Sequence, residues 1–137
     1  MALDIRPLIT SDYDDILVGW WKRWRWTPPA KDFLPGNGAG GYIVYDNDVP
    51  VCAGFLYVTN SQVAWVDWII SNFDYKDRDT RKEALSLLIQ SLGGTASNEG
   101  YKYTYALIKN PSLMELYEEL GYIKGDSYAN EMIKIWE

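Results

Sequence analysis

Apolar and polar residues follow regular spacings from the start of the chain. Residues 3–8 alternate, which predicts a half-buried strand. The next segment predicts a helix, and Thr10 or Ser11 is placed to cap its N-terminus. In that helix Trp20 and Trp24 recur at a helical spacing of four residues, so we assign both side chains to the core.

The middle of the chain predicts three consecutive strands. A short second helix is expected near residues 29–33, followed by a glycine-rich loop over residues 35–41. That loop lacks a Lys-Ser/Thr end and leads into a strand, so we interpret it as a mobile loop and not as a nucleotide-binding loop. Residues 42–45 and 50–58 have the pattern of a hairpin, and residues 63–71 form a third apolar strand.

The second half of the chain begins with a long amphipathic helix. The sequence from Thr80 to Glu83 has the form of a capping box, so this helix is expected to start at Arg81. Gly93 and Gly94 are expected to end or break it.

Shorter elements complete the chain. They are a strand at 101–108, a helix at 113–120 ended by Gly121, and a closing pair of strands at 122–124 and 131–136 around a turn at Gly125-Asp126. The element order predicts one α/β domain over residues 1–137, with a mixed, mostly antiparallel sheet and helices on both faces.

Composition excludes several classes of protein. The 137 residues contain no histidine, which excludes histidine triads, histidine metal sites and an imidazole base. Cys52 is the single cysteine, so no internal disulfide or cysteine zinc cluster can form, and we expect a reducing, cytoplasmic location without a metal. The net charge of −6 disfavours nucleic acid as a partner unless a local basic patch exists. We expect a soluble protein, because neither a signal peptide nor a membrane span is visible.

The segment after the predicted strand at 101–108 carries a motif. It reads Asn110-Pro111-Ser112-Leu113-Met114-Glu115-Leu116-Tyr117-Glu118-Glu119-Leu120-Gly121-Tyr122. This stretch resembles the end of the GCN5-related N-acetyltransferase (GNAT) fold in both spacing and residue types, and the element order is similar over nearly the whole chain. The resemblance implies acetyl-CoA or another acyl-CoA as cofactor. It implies that Asn110 supports the cofactor region and that Tyr117 protonates the departing thiolate. The alternative for Tyr117 is a helix aromatic packed on the sheet.

The phosphate-binding loop of that family has a weaker counterpart here. The family's Gln/Arg-x-x-Gly-x-Gly/Ala loop aligns either with Lys76-x-x-Asp79-x-Arg81 or with Asp79-x-x-Lys82-x-Ala84, and neither alignment contains the glycines. Four cations remain as candidates for the cofactor phosphates, namely Lys76, Arg78, Arg81 and Lys82. The alternative is a solvated loop and helix face. By resemblance, Ser71 and Asn72 are further candidates, for contacts with the acyl group.

Two further features of the sequence are candidates for the site that binds the acyl acceptor. Asp67 interrupts an apolar strand, where a carboxylate costs desolvation unless it is paired or used. The resemblance implies that it takes the proton of the attacking amine, and the alternative is an outward-facing residue paired with a cation. Tryptophans alternate with cations in the first helix, and by their position in the family four of these residues are acceptor candidates: Trp21, Arg23, Arg25 and Trp26.

These observations give one leading hypothesis and two alternatives. The leading hypothesis is an acyltransferase that moves an acetyl or other acyl group from acyl-CoA to the primary amine of a small or nucleotide-like acceptor by direct attack. One alternative is a bacteriophage-type member of the same fold that modifies a DNA base. The other is a non-catalytic binding module that has lost the glycine loop. No membrane partner is expected, and the sequence leaves a homodimer open.

Overall fold

A five-stranded sheet organises the chain in the computed structural model, which describes residues 3–127 and 130–136. The strands are β1 (Leu3–Pro7), β2 (Gly41–Asp46), β3 (Val49–Val58), β4 (Val63–Ser71) and β5 (Tyr103–Tyr105). They lie in chain order across the sheet, β1 to β4 antiparallel and β5 parallel to β4. The mixed, mostly antiparallel sheet, the hairpin and the strand at 63–71 are therefore confirmed.

One face of the sheet is covered by the segment between β1 and β2. It contains a π-helical turn (Tyr13–Leu17), helix α1 (Val18–Arg23) and two 3-10 turns (Lys31–Phe33 and Pro35–Gly38). The predicted second helix is thus a single 3-10 turn, and part of the glycine-rich loop forms another. Leu17, Trp20 and Trp21 are buried against Ile43, Ala53, Phe55 and Ile70 of the sheet.

The start of the first helical segment differs from the sequence prediction. The capping role expected of Thr10 or Ser11 is wrong, because the carboxylate of Asp12 organises this turn instead. Asp12 accepts a hydrogen bond from the backbone N–H of Ile9 at 2.8 Å and two from the Arg6 guanidinium at 2.8 and 3.0 Å. The ion pair connects β1 to the helix, and Asp12 is buried.

The opposite face of the sheet packs against α2 (Arg78–Asn98) and α3 (Pro111–Glu119). Leu88, Ile89 and Leu92 of α2 meet Val44, Cys52 and Val66 of the sheet in a second core cluster, together with Leu116 and Tyr117 of α3. The short helix was predicted correctly within two residues at each end. The Asn110 side chain caps it by accepting from the amides of Ser112 and Leu113, and Gly121 follows it with a φ of +98°.

Helix α2 is longer at both ends than the sequence predicted. It begins at Arg78 and not at Arg81, because Asp77 is the N-cap residue in place of Thr80. It continues through Gly93 and Gly94, each of which costs about 1 kcal/mol relative to alanine in a helix. The buried face of the helix extends beyond them to Ala96, so burial on the sheet outweighs this cost.

The C-terminal strands are the largest correction. The strand expected at 101–108 is limited to Tyr103–Tyr105, because the chain leaves β4 beyond that point. The closing pair of strands is wrong: residues 122–127 and 130–136 contain no strand. Met132, Ile135 and Trp136 are at least 80% exposed there. The alternating pattern at 131–136 therefore does not pack on the sheet, and its backbone does not pair with a described strand.

Two absences concern the described residues alone. Within 3–127 and 130–136, no helix has both the length and the apolar character needed to cross a membrane. The same ranges contain no cluster of acidic or cysteine side chains arranged to hold a metal ion.

Candidate functional site

A bulge in β4 marks the centre of the candidate site. Ala53 pairs with Ile70 and Phe55 pairs with Asp67, so β4 contains one residue more than β3 across this stretch. The extra residue adopts a left-handed conformation at Trp68, with a φ of +55°. Strain of this kind in a non-glycine residue persists only where the surrounding structure imposes it, and it concentrates at functional sites.

Asp67 lies at this bulge and is held by backbone donors. One carboxylate oxygen accepts from the N–H of Trp68 at 2.9 Å, and the other accepts from the N–H of Leu107 at 3.3 Å. Burial raises the pKa of Asp67 above its usual value, and these two hydrogen bonds oppose that rise. The predicted alternative, an outward-facing carboxylate paired with a cation, does not describe this arrangement.

Tyr117 reaches the same part of β4 from the opposite face of the sheet. It is buried in α3, and its hydroxyl donates to the carbonyl of Val66, the residue before Asp67, at 2.9 Å. Burial first, and the charges of Asp67 and Tyr122 second, raise the pKa of Tyr117 well above its usual value. The phenol therefore stays protonated in the neutral pH range. Tyr117 therefore packs on the sheet and also holds its hydroxyl proton at the carbonyl of Val66, one residue before Asp67.

Beyond Trp65, the edge of β4 no longer pairs with β5. Pairing with β5 ends at Trp65 and Tyr105. Beyond it, the Tyr117 hydroxyl bonds to Val66 and the Leu107 amide bonds to the Asp67 side chain. A carboxylate with a raised pKa and a protonated phenol therefore both contact the backbone where β4 and β5 separate.

The N-terminus of α2 is occupied by one of the chain's own carboxylates. Asp77 accepts from the backbone N–H of Thr80 at 3.1 Å and from its hydroxyl at 2.9 Å, and a further bond from the Asp79 amide helps to hold the pKa of Asp77 below its usual value. Free amides at a helix start are what bind phosphate in a glycine-rich loop. Here the side chain of Asp77 occupies that position.

The four cations that were predicted to bind the cofactor phosphates lie in different environments. Arg81 is turned inward, where it donates to the carbonyl of Tyr75, and its Nε is buried without a hydrogen-bond partner. Lys82 is exposed and lies 3.3 Å from Glu119 of α3, beside an open cleft of about 630 Å³ between the two helices. Lys76 lies over the ring of Phe73, and Arg78 is exposed in the first turn of α2. Three of the four are therefore at the surface near the start of α2.

The predicted acceptor cluster is divided by the structure. Trp21 is 2% exposed and belongs to the core, because its ring packs against Tyr13 and Trp68. Arg23 is bound to Asp74 at 2.6 Å and lies over the ring of Phe73, in the loop that precedes α2. These two residues do not share a surface, which corrects the single acceptor cluster expected from the sequence.

The end of the tryptophan segment lies beside the C-terminal end of β4. Trp24 is half-buried, so its core assignment is correct in part, and its Nε1 donates to the carbonyl of Ser71 at 2.8 Å. Trp26 is 51% exposed and stacks on Trp24 with ring centroids 5.5 Å apart. Arg25, between them, is exposed and has a φ of +63°. The backbone carbonyl of Ser71 thus accepts a hydrogen bond from Trp24. The side chain of the neighbouring Asn72 donates to the carbonyl of Pro50.

Several aromatic residues near Asp67 were not predicted as site residues. They are Phe33, Tyr57, Trp65, Trp68 and Tyr105. One signal in the sequence pointed to them: Gly54 interrupts an apolar strand, which is typical of a bulge or a close approach in the neighbouring strand. A side chain on Gly54 would collide with Ile69, the residue after Trp68.

Comparisons with known proteins address the fold. No protein-family model matches the sequence, and no curated protein matches it in sequence. Solved structures do match. The ribosomal-protein-S18-alanine N-acetyltransferase of Escherichia coli has a TM-score of 0.71 at 18% identity, over 91% of this chain and 80% of that one. The protein TTHA1254 of Thermus thermophilus has a TM-score of 0.70 at 15% identity, over 98% and 99% of the two chains. The glucosamine-6-phosphate N-acetyltransferase of Arabidopsis thaliana has 0.66 at 8% identity, over 98% and 100%.

These likenesses confirm the fold that the sequence predicted. The chain has the GNAT fold, and many of the solved structures that share it are acetyltransferases. At 8–18% identity the likeness concerns the fold and does not extend to the acceptor or the mechanism.

Proposed function

We propose that the protein is an N-acyltransferase that moves an acetyl or other acyl group from acyl-CoA to the primary amine of a small molecule. The observation that carries this proposal is that Asp67 and the Tyr117 hydroxyl lie at neighbouring positions along β4, because the Tyr117 hydroxyl donates to the carbonyl of Val66, the residue before Asp67 at the bulge. An acyl transfer to an amine needs a base for the amine proton and an acid for the leaving thiolate. The two side chains supply one group of each kind at the place where the strands separate.

The two side chains suit these roles by their protonation states. Burial raises the pKa of Asp67, which makes its carboxylate a stronger proton acceptor than that of an exposed aspartate. Tyr117 keeps its proton at the hydroxyl oxygen and can only donate it. Cys52 is buried and burial raises its pKa, so it does not serve as a nucleophile, and direct attack by the amine is the route we propose.

The fit of coenzyme A to this chain differs between its two ends. When bound, acyl-CoA would supply the thioester carbonyl and the thiol leaving group, and the proton donor Tyr117 fits that end. At the other end, Lys76, Arg78 and Lys82 lie around the start of α2 and would hold the phosphates through their side chains. The backbone amides contribute less than in a glycine loop, because Asp77 already binds that of Thr80.

That occupied helix start favours a second candidate, a GNAT-fold binding module without catalysis. Isothermal calorimetry with acetyl-CoA separates the two. Binding together with release of free thiol in the presence of amines supports the acyltransferase. If high micromolar acetyl-CoA does not bind, the acyltransferase proposal is wrong and the binding module remains.

A substitution at Asp67 tests the proposed base. Asp67→Asn removes the proton acceptor but keeps a similar shape, so we expect kcat/KM to fall by about 10²–10⁴-fold, with acetyl-CoA affinity unchanged. In the unsubstituted protein the rate should fall as the pH is lowered. The midpoint of this fall should lie above about 3.9, the usual aspartate pKa, because burial raises the pKa of Asp67. Asp48→Asn, in the β2–β3 turn, is the matched control and should leave both quantities unchanged.

A further inference from the structure

The face of the sheet that carries Asp67 is lined by aromatic rings. In the antiparallel pairing of β3 with β4, Asp67 lies opposite Phe55 and Trp65 lies opposite Tyr57. Residues directly opposite each other in such a pair share a face. Phe55 and Tyr57 belong to the cluster under α1, so Asp67 and Trp65 lie on the α1 side of the sheet.

Neighbouring segments extend this aromatic lining on two sides. Phe33 contacts Trp68 edge to face with ring centroids 5.9 Å apart, and its carbonyl accepts from the Tyr57 hydroxyl at 3.0 Å. On the β5 side, Trp65 contacts Tyr105 with centroids 4.6 Å apart. Phe33 is 44% and Tyr105 is 37% exposed, so both rings retain surface that a bound molecule could cover.

Asp67 gives this aromatic surface a negative charge at its centre. Its charge is close enough to contribute to the raised pKa of Tyr57, although burial of Tyr57 is the larger cause. Arg23, one of the cations that the sequence suggested for the acceptor, is instead bound to Asp74 in the loop that precedes α2. A carboxylate among aromatic faces attracts an ammonium group, through charge and through cation–π contact. The same arrangement repels a phosphate.

Resting on the proposed function, we infer that the acceptor is a cationic primary amine carried on an aromatic or apolar stem, without a phosphate group. The ammonium group lies at Asp67 and gives one proton to water, which leaves a neutral amine. As this amine attacks the thioester carbonyl, Asp67 takes a second proton from the nitrogen, and the C–S bond breaks while Tyr117 protonates the departing thiolate. The stem lies against Trp65, Trp68 and Phe33, which makes these residues determinants of specificity. This assignment replaces the nucleotide-like acceptor that the tryptophan and arginine segment suggested.

Three primary amines test the inference with acetyl-CoA and free-thiol detection: 2-phenylethylamine has an aromatic stem, n-butylamine has an apolar stem without a ring, and O-phosphoethanolamine carries a phosphate. We expect kcat/KM to be highest for 2-phenylethylamine and at least tenfold lower for O-phosphoethanolamine. A preference for the phosphorylated amine would overturn the inference while leaving the acyltransferase intact. Bound acetyl-CoA without turnover of any amine would instead contradict the proposed function itself.

A substitution in the aromatic lining gives a second readout. In Trp65→Leu we expect KM for 2-phenylethylamine to rise at least tenfold while kcat changes less than threefold, because the ring binds the stem and takes no part in proton transfer. Binding of 2-phenylethylamine to the acetyl-CoA-free protein, followed by calorimetry, should weaken to the same extent. Trp136→Leu, at an exposed tryptophan in the C-terminal segment, is the control. An unchanged KM in Trp65→Leu, with the melting temperature and acetyl-CoA affinity preserved, would refute the aromatic site.

Discussion

Replacing Tyr117 by phenylalanine should separate its structural role from its proposed chemical role. The substitution keeps the ring in the core and removes the hydroxyl that donates to the Val66 carbonyl at 2.9 Å. Leaving a buried carbonyl without its donor costs about 1–3 kcal/mol of unfolding free energy. For a chain of 137 residues, each kcal/mol lowers Tm by roughly 3–5 °C, so we expect a drop of about 3–15 °C.

The chemical role predicts a second and independent loss. Without the phenolic proton, the thiolate would leave unprotonated, and general acid catalysis contributes about 10²–10⁴-fold to the rate. We therefore expect kcat to fall by that factor at a temperature well below the lowered Tm. Acetyl-CoA affinity should change by less than threefold, because the hydroxyl bonds to the protein backbone in the free state. Thermal unfolding, calorimetry and free-thiol detection measure the three quantities.

A matched tyrosine provides the control. The Tyr101 hydroxyl donates to the Thr59 carbonyl at 3.1 Å, in a partly buried position two residues before β5. Tyr101→Phe should lower Tm by a smaller amount and leave kcat unchanged. If Tyr117→Phe loses stability as expected but retains kcat within threefold, Tyr117 is a packing residue and the proposed acid is refuted.

Further predictions concern stability. Asp12→Asn breaks the ion pair with Arg6 and should lower the unfolding free energy at pH 7 by about 1–2 kcal/mol, a value reduced because the Arg6 side chain is 38% exposed. The Arg6 guanidinium holds the pKa of Asp12 below its unfolded value. The contribution of the ion pair is therefore present above about pH 3.9 and is lost as the pH falls through the folded pKa. The unfolding free energies of the unsubstituted protein and of Asp12→Asn should thus converge in acid. Gly41→Ala places a Cβ against the Gly54 carbonyl of the neighbouring strand and should cost about 1–3 kcal/mol or more. Gly94→Ala, in an open position within α2, should instead gain about 0.5–1 kcal/mol, and a loss there would contradict the reasoning.

The strands and helices of the core were readable from the sequence because burial imposes their spacing. The strand at 63–71 and the helix after Asn110 follow directly from alternating and helical patterns. The start of α2 was misplaced since Asp77 and Thr80 are both good capping residues, and their competition is decided by three-dimensional contacts. The expected strands at 122–124 and 131–136 failed because a period of two residues indicates a strand only where a partner strand is available.

The candidate site was less predictable than the fold. The sequence proposed Asp67 as a candidate because a carboxylate in an apolar strand is costly, and it proposed Tyr117 from its motif. The aromatic residues around Asp67 come from four separate segments that meet through tertiary contacts, and Trp68 among them has a left-handed conformation at the bulge of β4. That conformation is imposed by strand register, which local sequence does not encode.

The carboxylate of Asp77 at the start of α2 has a consequence for any diphosphate that binds there. Because Asp77 is part of the chain, it is present at the helix amides at a high effective concentration that does not depend on the solution. A free diphosphate can reach those amides only by displacing the Asp77 carboxylate. The displaced carboxylate then stays nearby and repels the diphosphate. Tight cofactor retention is therefore penalised and rapid release is favoured, so the residence time of the bound cofactor should lengthen when Asp77 is removed.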